Sequence, residues 1–179
     1  IHAGLIGIFA SATRLFGIFL IFIAVFELVK KKSIKFIDML GILLIPMGLI
    51  FYMLYLNSSV GDPLAFFHAQ PAFGAGRSGS EIIFLPQVIW RYYKMFSTVN
   101  ISLFEYKIVL FEFVSLLLAG ILLLKATKQR LDRSYLIYCG SVLIVPTFTG
   151  TLSSYPRYIL AAFPLFWVLG QIKSIKVKY

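Results

Sequence analysis

Five apolar stretches, each near the length of a membrane crossing, divide the chain: residues 3–29, 36–56, 106–124, 134–152 and 158–172. A helical span needs about 20 mostly apolar residues. The last stretch is the shortest, with Pro156 before it and Pro164 inside it. None alternates apolar and polar positions as a barrel strand would, and helices alone satisfy their own backbone in lipid, so the pattern predicts helices. Between the second and third stretches, residues 57–105 form the one long hydrophilic connection, and it is not uniformly polar. Residues 82–96 interleave Ile82, Ile83, Leu85, Ile89, Tyr92, Tyr93 and Phe96 with Gln87, Arg91 and Lys94, and they include Trp90. That mixture predicts a helix lying in the headgroup region, a reading compatible with an aromatic belt. Residues 74–80, rich in Gly and Ser, read as a mobile linker; no Gly-Lys-Ser/Thr follows, so they are no phosphate-binding P-loop. The expected fold is all-α: one polytopic integral membrane domain over residues 1–179, with about five transmembrane helices and one long extracytoplasmic loop.

Composition agrees. The chain is 60% hydrophobic and 13% charged, too little polar surface for a soluble domain of 179 residues. Its net charge of +10 does not point to nucleic acid, because the charges fall in short clusters between apolar runs. Lys30, Lys31, Lys32 and Lys35 follow the first stretch; Lys125, Lys128, Arg130 and Arg133 separate the third and fourth; Lys173, Lys176 and Lys178 close the chain. If five spans alternate, all three clusters share one side, which the positive-inside rule makes cytoplasmic. Residues 57–105, the turn 153–157 and the start of the first span then lie outside. Cys139 is alone, and His2 and His68 are far apart, so neither a disulfide framework nor a metal motif is legible. The sequence opens at Ile1 directly in apolar residues, which reads as the C-terminal part of a longer polytopic protein.

Several polar residues stand where lipid should be. A central arginine costs roughly 2.5–3.5 kcal/mol on insertion scales. Arg14, in the middle of the first stretch, therefore either faces a protein-lined aqueous cavity, marks a break into two shorter pieces, or snorkels from a re-entrant segment. Glu112 lies inside the third stretch, on the same helix face as Glu105; a buried carboxylate there either pairs with a cation, the commoner outcome, or titrates as a base, so Glu112 is kept as a candidate. Asp38 and Glu27 read as local ion-pair partners of the basic clusters. Arg157 lies in Ser153-Ser154-Tyr155-Pro156-Arg157-Tyr158, where its fork of donors suits a phosphate diester as well as it suits lipid headgroups. The hydrophilic loop gathers Asp62, His68 and Gln70 within residues 61–70.

These residues carry a family resemblance. Residues 10–17, Ala-Ser-Ala-Thr-Arg-Leu-Phe-Gly, resemble a stretch of the PIG-V-type mannosyltransferases, the GPI mannosyltransferase II family within the GT-C glycosyltransferases. Residues 61–70, Gly-Asp-Pro-Leu-Ala-Phe-Phe-His-Ala-Gln, resemble that family's loop motif, and Pro156-Arg157-Tyr158 with Pro164-Leu165-Phe166 resembles its C-terminal segment. The resemblance implies a multi-span enzyme that takes a sugar from a polyprenyl-phosphate donor at the extracytoplasmic or lumenal face. It implies that Asp62, His68, Gln70 and Tyr158 line the substrate site and that Arg14 and Arg157 bring positive charge to the donor phosphate. No cofactor is expected beyond the polyprenyl-phosphate sugar as donor substrate, a divalent metal being left open, and the expected partners are membrane lipid, the lipid-linked sugar, and the missing N-terminal portion or a partner subunit. The family's catalytic base is an acidic residue of an early outer loop, and nothing before Arg14 matches it. A non-enzymatic membrane protein, a transporter or an accessory subunit, is the alternative; no paired broken spans or inverted repeat favour a transporter.

Overall fold

The computed structural model describes residues 2–171. The cluster Lys173, Lys176 and Lys178 and the end of the fifth apolar stretch lie outside the described residues. What is described is helical, apart from one isolated parallel bridge between Ile83 and Thr149. The chain packs as two compact units: one runs to Ile83 and adds Phe148–Thr151, the other takes Phe84–Thr147 and the chain from Leu152 onward.

The first unit begins with α1 (His2–Thr13), a 3-10 turn (Leu15–Phe19), α2 (Leu20–Lys30) and α3 (Phe36–Val60). The first apolar stretch is therefore not one span. It breaks at Arg14, whose backbone is extended (φ −144°, ψ 132°) and whose N–H still donates to the Ala10 carbonyl. Gly17 makes the return tight, since a Cβ there would strike the Ala10 carbonyl and the Ser11 nitrogen. At 12 residues, α1 is about 18 Å long, well short of the ~30 Å hydrocarbon core.

Small residues set the direction of these helices. Gly4 packs on the Gly41 backbone, Gly7 on Ile45, and Gly48 on the Ile8 carbonyl and Ala12 nitrogen, so α1 and α3 run parallel with their backbones in contact. The Ser11 hydroxyl donates to the Ile45 carbonyl across that seam. At the other end of the pair, Ala3 and Gly4 share a recess with Glu27, Leu28, Lys31 and Asp38. Hence α2 runs back beside α1, and the two form a hairpin. Both hairpin ends lie with the Lys30–Lys35 cluster, and Lys31 pairs with Asp38 at 2.8 Å. This corrects the expectation that the start of the first span and the basic cluster fall at opposite ends. The physical reason is the break at Arg14, where the backbone turns extended and the tight return at Gly17 follows.

The second unit holds α5 (Leu85–Thr98), α6 (Phe104–Lys128), α7 (Arg133–Ile144), α8 (Tyr155–Ala161) and α9 (Pro164–Gly170), while α4 (Ala65–His68) belongs to the first. The interleaved segment of the long loop does form a helix, α5. It buries Val88 and Tyr92, while Trp90 and Tyr93 stack on its exposed side with the Lys94 ammonium 5.6 Å from the Trp90 ring. Asp132 caps α7 by accepting the Ser134 N–H. Pro146 sits in the 3-10 turn Val145–Phe148 that ends the fourth stretch early, and Pro164 starts α9 after a break at Ala162 and Phe163.

Among the described residues, α3 and α6 are long and apolar enough to cross a membrane. Each has 25 residues, about 37 Å of helix. Leu43, Phe51 and Leu54 on α3 and Phe111, Leu118 and Leu124 on α6 are exposed, as expected of helices with apolar surroundings.

Candidate functional site

The hydrophilic loop folds on itself within the first unit. Gly61 ends α3 in the left-handed conformation (φ 78°), its N–H donating to the Asn57 carbonyl at 3.0 Å. Asp62 follows, and its Oδ1 accepts the Leu64 N–H at 2.9 Å, the short-range turn an aspartate favours before a helix. Pro63 then leads into α4, a single turn whose last residue is His68. That turn brings the His68 Nδ1 to 2.7 Å from the Asp62 Oδ2. The pair lies at the protein surface, with the His68 side chain 52% and the Asp62 side chain 34% exposed. The hydrogen bond from His68, and after it the Leu64 N–H, holds the Asp62 carboxyl below its ordinary pKa.

Gln70 joins the same fold from the next turn. Its Nε2 donates to the Phe66 carbonyl at 2.9 Å, and its Oε1 accepts from the Arg77 guanidinium at 3.1 Å. Arg77 belongs to the stretch read from sequence as a linker. There Gly74, Ala75 and Gly76 all take positive φ, the Arg77 N–H closes on the Gly74 carbonyl, and Ser78 donates its N–H to the Thr149 carbonyl at 2.8 Å. Gly79 packs so closely on the His68 carbonyl and Pro71 ring that a Cβ would collide with both. In this stretch the glycines serve tight turns.

Arg14 stands apart from these groups in its bonding. It is exposed at the hairpin tip, two residues beyond Ala12, whose backbone lies against Gly48. Gly48 is twelve residues from each end of α3, so the tip falls near the middle of that helix. The guanidinium makes no hydrogen bond or ion pair among the described residues.

The second unit gathers Arg157 into a different arrangement. Glu112, 9% exposed, accepts the Tyr92 hydroxyl at 2.7 Å and the Ser154 N–H at 3.0 Å. The Tyr92 oxygen in turn accepts the Leu152 N–H at 3.0 Å. Glu112 and Tyr92 thus fasten the α7–α8 turn to the first turns of α6. The turn itself is tight: Ser154 adopts φ +67°, uncommon for a residue with a Cβ. Arg157 donates to the Ser154 hydroxyl at 2.7 Å. Beside it opens a cleft of about 430 Å³, lined by Arg157, Lys107, Glu112, Ser153, Ser154 and the apolar Phe104, Ile108 and Phe111 of α6. Neither Lys107 nor Arg157 has a carboxylate partner among the described residues. Tyr158, half-buried, is the next residue of α8.

The structure therefore joins Asp62 to His68 and Gln70 to Arg77 in the first unit, and sets Arg157 in a cationic cleft in the second. Sequence reasoning had not chosen Arg77, Lys107 or Tyr92 as site residues. Only Lys107 left a signal, as a cation just inside the start of an apolar stretch; nothing in the sequence ties Tyr92 to Glu112. Among the described residues no three His, Cys, Asp or Glu side chains cluster as metal ligands would. Compared with family models, with curated proteins and with solved structures, the chain matches none.

Proposed function

We propose that this chain is part of a membrane glycosyltransferase that moves a sugar, mannose in the family it resembles, from a polyprenyl-phosphate donor to an acceptor hydroxyl at the extracytoplasmic face. The observation that carries the reading is the cleft in the second unit, where Lys107 and Arg157 stand without carboxylate partners above an apolar wall. A leaving phosphate gains negative charge as its bond to the sugar breaks, and fixed cations beside it stabilise that charge most where water is scarce. Phe104, Ile108 and Phe111 offer the surface that the first isoprene units of such a lipid require. The motif likeness at residues 61–70 and 156–158 points the same way.

In this reading α3 and α6 cross the bilayer as single helices and the α1–α2 hairpin enters and returns. Of the five apolar stretches, the second and third then supply crossings and the first a re-entrant hairpin. The Lys30–Lys35 end of α3 keeps its cytoplasmic assignment, so residues 57–105 remain extracytoplasmic. Arg14, near mid-depth, is a charge that lipid alone would penalise.

The test is transfer from a radiolabelled polyprenyl-phosphate sugar in membranes carrying the protein. Arg157→Ala should lower the rate by about 10²-fold or more, the loss typical for a group that stabilises transition-state charge. Arg157→Lys should retain part of the rate, since it keeps the charge and loses the fork. Undiminished transfer by Arg157→Ala would sink the reading.

A further inference from the structure

The two sides of α5 meet different surroundings. On its inner side the helix packs against the first turns of α6. Tyr92 stacks on Phe113 and donates to Glu112 at 2.7 Å, and Phe96 meets Phe113 and Tyr106 edge-on, with ring centroids 5.3 and 5.8 Å apart. On its outer side Ile89, Trp90 and Tyr93 are exposed, Trp90 by 58% and Tyr93 by 62%. The Trp90 and Tyr93 rings stack on each other at 5.4 Å, and the Lys94 ammonium stands 5.6 Å from the centre of the Trp90 ring. Lys94 has no carboxylate partner among the described residues. A helix already anchored by Val88 and Tyr92 needs no second aromatic face for its own folding, so the outer face calls for an occupant.

The packing on α6 indicates which occupant. Glu112 and Phe113 lie eight and nine residues beyond Phe104, about 12–14 Å along the helix. Since α6 is about 37 Å long and the hydrocarbon core ~30 Å thick, an α6 that crosses projects at most about 7 Å at this end. The point where Tyr92 grips α6 then lies about 5 Å or more inside the hydrocarbon boundary. Its grip draws α5 down beside α6, so the helix cannot stand clear of the headgroups in water. The outer face has the chemistry that this level demands. Ile89 is apolar, Trp90 and Tyr93 carry polar tips on large rings, and Lys94 has a flexible stem that reaches toward phosphates.

We propose that Ile89, Trp90, Tyr93 and Lys94 form a phospholipid-binding surface. The two rings sit where headgroups meet acyl chains, in the leaflet where α6 begins, and the Lys94 ammonium sits on a lipid phosphate. The proposal rests on the reading that α6 crosses the bilayer, and not on the transfer reaction. The apolar part of the face enters about 5–10 Å, the usual depth of an interfacial helix. Anionic lipid is preferred to zwitterionic lipid, because Lys94 brings a charge that no carboxylate among the described residues neutralises. From its opposite side the same helix presents Tyr92 to Glu112, which accepts the Ser154 N–H beside Arg157. One helix therefore meets lipid on one face and braces the cleft with the other.

Trp90 and Trp167 are the chain's two tryptophans, so Trp167→Phe leaves Trp90 as the sole indole reporter. The experiment uses that full chain reconstituted in phosphatidylcholine bilayers. Lipids brominated near the headgroup end of the acyl chain should quench Trp90 more than lipids brominated near the methyl end, and aqueous iodide should quench it less than free indole. Adding phosphatidylglycerol should shift the emission to shorter wavelength, and Lys94→Glu should remove that shift. A second chain carrying Trp90→Phe, Trp167→Phe and Leu118→Trp reports on the exposed middle of α6 and should be quenched most by the deep bromines. Bromine quenching absent from both chains would overturn the crossing reading together with the proposal. Deep quenching at position 118 with free iodide access to Trp90 would overturn the proposal alone. So would a Trp90 shielded from bromine and iodide alike, which marks a protein partner, and an emission that phosphatidylglycerol does not move would overturn the role of Lys94.

Discussion

The chain handles its two notable carboxylates in opposite ways. Asp62 lies at the surface and meets His68 across six positions of sequence, in a loop closed by its own turn residues. Glu112 is buried, and its partners Tyr92 and Ser154 come from 20 and 42 positions away. The first arrangement can exist almost wherever its loop folds. The second exists only if α5, α6 and the α7–α8 turn have already packed. The difference separates a solvent-facing pair from one that holds the architecture around a cleft.

That contrast can be broken at its strong end first. Glu112→Ala removes the hydrogen bonds from the Tyr92 hydroxyl and the Ser154 N–H to the carboxylate, and a hydrogen bond to a charged group contributes about 1.5–3 kcal/mol. The purified protein should therefore unfold at clearly lower denaturant in a detergent titration. Tyr92→Phe should show a comparable loss, because it takes the hydroxyl from both the Leu152 N–H and one Glu112 oxygen. Wild-type unfolding in Glu112→Ala would show that the buried hub does not hold the turn.

At the weak end, breaking the Asp62–His68 pair should barely move the unfolding midpoint, since exposed pairs add little and salt screens them. The sign of its pH dependence is fixed. Asp62 binds its proton less readily in the folded loop than in the unfolded chain, so the pairing contributes above the ordinary carboxylate range. It is lost as pH falls through the lowered folded value. A His68 ring signal that follows this acid transition in the wild type, and does not in Asp62→Asn, sharpens the comparison; a large unfolding shift in Asp62→Asn would erase it.

The same contrast explains what could be read from sequence. The loop 61–70 was legible as a unit because Gly61, Asp62 and Pro63 are turn chemistry and the partners lie close along the chain. The helix of the long loop was legible because its apolar and charged residues interleave. Arg14 was legible as an anomaly and as a candidate break, but the hairpin's direction rests on Gly4, Gly7, Gly41 and Gly48 meeting across the chain. Hydropathy carries no record of that meeting. The turns of residues 74–80 were not legible, because glycine serves tight left-handed turns as readily as linkers. The shorter helices of the fourth and fifth stretches had their cause in plain view, in Pro146 and Pro164, where an apolar count overrode it.

The central claim is that the cleft of the second unit takes a lipid-linked phosphate. Its most direct measurement is equilibrium binding of polyprenyl phosphate and of the uncharged polyprenol to the purified chain, alongside the Lys107→Ala, Arg157→Ala double variant. Charge-assisted contacts contribute about 1.5–3 kcal/mol each, so the phosphate should bind at least about tenfold more tightly than the alcohol, and the double variant should lose that margin. Equal affinity for the two lipids, or a double variant that keeps its preference for the phosphate, would contradict the account.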